Sequence, residues 1–163
     1  MNNPKIRIEI ENYGTIEAEL YPEKAPNTVK NFVGLIEKGF FTGKIFHRII
    51  AGFMIQGGGY DIDFNHCEAD AIRGEFRANG FAQNDIKHTR GVLSMARTMD
   101  PNSASSQFFI MHQNAPHLDG QYAAFGAVTE GIEVVDKIAN VRTGYGDCPI
   151  APVVITKMEI IEQ

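Results

Sequence analysis

Arg48 stands inside the run Phe46-His47-Arg48-Ile49-Ile50-Ala51-Gly52-Phe53-Met54-Ile55-Gln56-Gly57-Gly58, where apolar residues alternate as they do in strands. A guanidinium cannot be neutralised in a protein and carries five fixed donors, so beside apolar neighbours it needs an acceptor or a task. An arginine on a strand is ordinarily a solvated or ion-paired surface group. The alternative is a donor aimed at a bound molecule. By the two-residue strand period, Met54 and Gln56 share one face, as do Gln107 and Phe109, while Phe108 and Ile110 point the other way. Other chemistries find less support. His47, His88 and His112 have no serine or cysteine nucleophile signature beside them, so they suit packing or hydrogen bonding better than base catalysis. The adjacent His66-Cys67 pair has no second ligand pair at zinc spacing. Gly57-Gly58-Gly59 lacks the Gly-Lys-Ser/Thr or GxGxxG continuation of a phosphate cradle, leaving tight turning as its use.

The elements that must position these residues follow from hydrophobic period. Ile6, Ile8 and Ile10 alternate with charged neighbours, Asn12-Tyr13-Gly14 supplies a turn, and Ile16, Ala18 and Leu20 resume the alternation, predicting an N-terminal antiparallel hairpin. Val29, Phe32, Val33 and Ile36 then fall at helical spacing behind Pro26, with Lys38-Gly39 as the stop. Ile132, Val135, Ile138 and Ala139 predict a second helix, with Thr129 as its N-cap. Strands are expected from Ile45 to Ile50, Phe53 to Gln56, Val92 to Ala96, Gln107 to Met111, Ala123 to Val128 and Val154 to Ile160. Short strands between glycine-containing turns suggest a closed antiparallel barrel. The long polar connections, from Tyr60 to Gly80 and from Arg97 to Ser105, belong at the surface, where binding loops are found.

Composition bounds the partners. At 163 residues the chain predicts a single domain over residues 1–163. Hydrophobic residues at 44% and charged residues at 21% are ordinary for a globular protein, and the sparseness of Leu beside Ile, Val and Phe leans toward strands. A net charge of −5 without a basic run argues against nucleic acid as a partner. The opening Met1-Asn2-Asn3-Pro4-Lys5 has no basic then apolar signal pattern, and no apolar run approaches the ~20 residues that span a bilayer, so a cytoplasmic location without a membrane partner is expected. Cys67 and Cys148 are too few for a disulfide framework and are expected as reduced thiols.

The FHRII, GFM and QGG segments of residues 46–58 are followed by Leu93-Ser94-Met95-Ala96, then Ser106-Gln107-Phe108-Phe109-Ile110, Leu118-Asp119-Gly120 and Phe125-Gly126. In this order, the motifs resemble the cyclophilin family of peptidyl-prolyl isomerases, from Ile6 to Ile160; any one could arise by accident, but five together hardly could. The resemblance implies a mostly β fold, a closed eight-stranded antiparallel barrel capped by two α-helices. It implies a cofactor-independent, metal-free isomerase that acts on exposed X-Pro bonds and assists folding, its partners being proline-containing polypeptides. Arg48, Phe53 and Gln56 would be catalytic; Met54, Ala96, Arg97, Gln107, Phe109, His117, Leu118 and Tyr122 would bind substrate. Phe53, Met54, Phe109 and Leu118 would form the proline socket, residues that would otherwise pass for ordinary core. Cis and trans X-Pro amides are separated by a resonance barrier of roughly 18–20 kcal/mol. Twisting removes conjugation and returns a lone pair to the prolyl nitrogen, to which Arg48 would donate in the transition state and hardly at all in the planar ground state. The rival expectation is a non-catalytic proline-peptide binding or chaperone module on the same barrel.

The chain departs from the family pattern in five places, one being the Thr98-Met99-Asp100-Pro101-Asn102 loop, which is longer than the usual pattern. His117 stands where many relatives carry tryptophan, Tyr122 where many carry histidine, and Arg97 where asparagine is commoner; the loop after Gly59 takes an acidic course through Asp61, Asp63, Glu68 and Asp70. Loss of an indole donor and face predicts weakened cyclosporin affinity more than weakened catalysis. A monomer is expected.

Overall fold

The computed structural model describes residues 3–67 and 69–163; Met1, Asn2 and Glu68, on which the leader and acidic-loop expectations partly rest, lie outside them. Eight strands are formed: β1 Lys5–Ile10, β2 Gly14–Leu20, β3 Arg48–Ile50, β4 Met54–Gly57, β5 Val92–Met95, β6 Phe108–Met111, β7 Ala124–Glu130 and β8 Ile155–Glu162. Two α-helices join them, α1 Pro26–Glu37 and α2 Ile132–Ala139. The strands make one antiparallel sheet in the order β3-β4-β6-β5-β7-β2-β1-β8.

The sheet curls without closing, which corrects the expected closed barrel. β3 and β8 share no ladder; among the described residues their seam is spanned by the single bridge Ile45–Val154 and by flanking backbone bonds such as Phe46 N–H to the Val153 carbonyl at 2.9 Å. The reason is local. The strand expected from Ile45 to Ile50 keeps its ladder only over Arg48–Ile50, and Gly57 brings its backbone so close that a Cβ would lie 2.6 Å from the Ile45 carbonyl oxygen. Thr129 does not cap α2 either. β7 runs on through Glu130, and Gly131, in the left-handed region at φ 91°, turns the chain into the helix with no side-chain cap.

Alternation sorts the apolar side chains into two bodies. Ile6, Ile8, Ile16, Leu20, Ile55, Leu93, Phe108, Ile110 and Phe125 fill the interior, joined by Phe32 of α1 and Val135 of α2. The opposite face of β4, β5 and β6 gathers Met54, Val92, Phe109 and Met111 with Leu118 and Ala124 in a second cluster. Burying both faces of a sheet needs a covering layer; here the segment carrying Leu118 and Tyr122 supplies it. α1 begins at Pro26 behind Ala25, which offers no side-chain acceptor, so the buried Glu75 carboxylate accepts instead from the Asn27 and Thr28 N–H groups at 3.3 and 2.7 Å and from the Thr28 hydroxyl. That contact ties the loop after β4 to the helix.

Candidate active site

Strand register aligns the chemistry-bearing residues. Arg48 of β3 lies opposite Gln56 of β4, Gln56 opposite Phe109 of β6, and Phe109 opposite Ser94 of β5. One transverse row therefore carries a cation, an amide, a ring and a hydroxyl on the face turned away from the interior. Arg48 Nη1 donates to Gln56 Oε1 at 3.1 Å, and Gln56 Nε2 donates on to Gln107 Oε1 at 3.0 Å. Arg48 is half-buried, has no ion-pair partner among the described residues, and borders a hollow.

That hollow is small, about 130 Å³, and its lining brings together Arg48, Phe53, Met54, Gln56, Ala96, Arg97, Phe109, Leu118 and Tyr122. Nine of the eleven residues singled out in the sequence thus meet at one place. Gln107 lies behind Gln56 and lines a neighbouring hollow. His117 is exposed: the turn Pro116–Leu118 sends Leu118 inward and leaves the imidazole packed on the flank of Phe53, ring centroids 5.7 Å apart. Arg97 is held flat between Phe76 and Tyr122, its guanidinium carbon 4.9 and 4.7 Å from their centroids.

Behind Phe109 and Tyr122 lies a polar relay that nothing in the sequence connects. His88 is 1% exposed; its Nδ1 is 3.2 Å from Asp119 Oδ1 and its Nε2 is 2.8 Å from the Ser94 hydroxyl. Its ring stacks beneath Phe109, interplanar angle 22°, and meets Tyr122 edge-on. Burial lowers its pKa, outweighing the hydrogen bond and charge of Asp119, which raise it, so the ring is neutral at neutral pH. A carboxylate on Nδ1 fixes the proton there and leaves Nε2 to accept from Ser94. Ser94 is fully buried, so the relay is no nucleophile. Ser94 and Asp119 lie inside the LSMA and LDG motifs and His88 lies in neither, so only the fold brings the three together.

His47, next to Arg48, is pushed down to about 4 by burial first, then by the Arg48 and His66 charges. Its ring lies 4.6 Å from that of Tyr60, and its buried Nδ1 has no hydrogen-bond partner. Arg48 is therefore the only charge on this stretch of β3 at neutral pH. The glycine run does more than turn: Gly58 takes φ 93°, while a Cβ on Gly59 would meet the Gln107 side chain at 2.5 Å. Among the described residues no group of acids, histidines and cysteines could hold a metal ion.

A donor row beside a hollow of about 130 Å³ with a mixed apolar and polar lining, and no serine or cysteine among its described lining residues, suits noncovalent work on an amide. The chain belongs to the cyclophilin-type peptidyl-prolyl cis-trans isomerase family, whose model matches residues 5–160. It is 46% identical over 159 residues to a peptidyl-prolyl cis-trans isomerase of Acinetobacter baylyi, covering 91% of this chain and 81% of that protein. It is 40% identical to peptidyl-prolyl cis-trans isomerase B of Escherichia coli, covering 93% and 96%. The fold is shared with a cyclophilin-type isomerase of Cryptosporidium parvum crystallised in the presence of the dipeptide Ala-Pro, at TM-score 0.81 and 31% identity, covering 98% of this chain and 99% of that one.

Proposed function

We propose that the hollow bounded by Phe53, Met54, Phe109 and Leu118 seats the proline ring of a polypeptide, and that Arg48 donates to the prolyl nitrogen as the X-Pro amide twists. The observation that carries this reading is that Arg48 borders the hollow with a neutral acceptor, Gln56, and no carboxylate among the described residues. A carboxylate would hold the guanidinium and offset its charge; an amide orients it and leaves the other donors available. The nitrogen accepts only once conjugation is broken, so the bond forms in the transition state and lowers the barrier.

Gln56 and Ala96 hold the substrate backbone, and Gln107 keeps Gln56 turned toward Arg48. The buried relay of Asp119, His88 and Ser94 supports Phe109 and Tyr122 from below. No proton moves and no cofactor takes part. The substrates are proline-containing chains, consistent with the Ala-Pro dipeptide present with the Cryptosporidium relative. Residues 1–163 act as one domain, and the free Cys67 and Cys148 suit a reducing compartment. No helix among the described residues is long and apolar enough to cross a membrane.

The test is a protease-coupled isomerisation assay with an Ala-Pro peptide. Arg48→Ala is expected to lower kcat/KM by roughly 30- to 150-fold, the loss of about 2–3 kcal/mol of transition-state stabilisation. Equal rates in both proteins would end the reading.

A further inference from the structure

A second hollow, of about 220 Å³, adjoins the proline socket and shares Gln56, Ala96 and Arg97 with it, so one extended peptide can lie across both. Among the described residues no carboxylate lines either hollow, although the chain carries a net charge of −5. The cation between them is Arg97. Its Nε and Nη2 donate to the Gln121 carbonyl at 3.3 and 2.8 Å and its Nη1 to the Thr98 carbonyl at 2.9 Å. These bonds and the rings of Phe76 and Tyr122 fix the guanidinium in place but do not neutralise it. Three of its five N–H groups are used, which leaves one on each terminal nitrogen. Asp100 sits in the same loop, and its Oδ1 accepts from the Asn102 N–H at 2.8 Å.

A pre-oriented cation with open donors, beside a hollow whose described lining holds no carboxylate and also presents His66, Gln107 and Ser105, suits an anion. We infer that the second hollow selects proline segments bearing a carboxylate side chain within two residues of the proline, with Arg97 as the specificity-determining contact. This rests on the isomerase reading of the adjoining socket. A lysine at the same place meets like charge. Because Arg97 is partly solvated, the effect is that of a screened ion pair, about two- to fivefold.

The experiment uses a set of proline peptides in which glutamate is moved through the two positions before and the two after proline, each compared with its glutamine isostere. At one position glutamate is expected to raise kcat/KM about two- to fivefold over glutamine, with the ratio shrinking toward one as salt is added. In Arg97→Gln that ratio falls to one, and Arg97→Lys restores part of it; a ratio taken within one variant is insensitive to any general loss of activity. Equal rates for glutamate and glutamine at all four positions would overturn the inference, as would a preference that survives Arg97→Gln. Turnover of every peptide no faster than by Arg48→Ala would overturn the isomerase reading and this inference with it, which distinguishes the two failures.

Discussion

At the residue scale, the proposed activity depends on how Arg48 is held. Gln56 fixes one terminal nitrogen, and the neutral His47 beside it adds no second charge. Arg48→Lys keeps the charge but loses the planar fork, so activity is expected to fall between wild type and Arg48→Ala, at roughly a tenth of wild type. His47 also carries a pH signature. Its folded pKa, about 4, lies below the ordinary 6.5, so between these values the unfolded chain binds more protons and stability falls as the solution is acidified. Asp136, lowered by its bond to Arg90, acts below that window, where carboxylates protonate. Thermal unfolding from pH 7 to pH 4.5 is expected to show a falling Tm whose slope is reduced in His47→Gln; an unchanged slope would contradict the assignment. Arg48 was conspicuous in the sequence as a charge interrupting an apolar alternation, but that pattern alone reads as an ordinary surface arginine, and the family resemblance is what pointed to a binding site. The Asp119–His88–Ser94 relay was not legible, because its three residues lie in three segments and nothing in their spacing connects them.

At the element scale, two contacts hold the site's frame. Glu75 supplies the acceptor that Ala25 cannot, so Glu75→Ala should cost about 1–3 kcal/mol and lower Tm by roughly 2–4 °C for each kcal/mol, measured by calorimetry. Gly59→Ala tests the amide pair. The new methyl would push Gln107 away and leave Gln56 without its acceptor, so kcat/KM should fall several-fold, roughly 1 kcal/mol, with little change in Tm. Unaltered kinetics would confine Gln107 to packing. The strands themselves were legible to within a residue or two, because one buried face imposes a two-residue period. The seam between β3 and β8 and the start of α2 were not. Ile45 reads as strand by pattern, yet the close approach at Gly57 leaves it a lone bridge, and Gly131 takes over the turn expected of Thr129.

At the scale of the whole molecule, a curled sheet fills one interior and gathers a second apolar cluster on its other face, and the proposed site lies on that face. The surface near the socket is this chain's own: His117 flanks Phe53 instead of lining the hollow, and Tyr122 takes one wall. A large cyclic ligand relying on contacts around the socket loses an indole there, so cyclosporin is expected to inhibit with weaker than nanomolar affinity. Nanomolar inhibition of the purified protein would contradict this. The most direct test of the central claim is NMR exchange on a proline peptide, which reads affinity and interconversion of the bound cis and trans forms separately. With Arg48→Ala, affinity should stay within about threefold of wild type while exchange slows by roughly 30-fold or more, because the lost bond belongs to the twisted state. Exchange as fast in Arg48→Ala as in wild type would contradict the account.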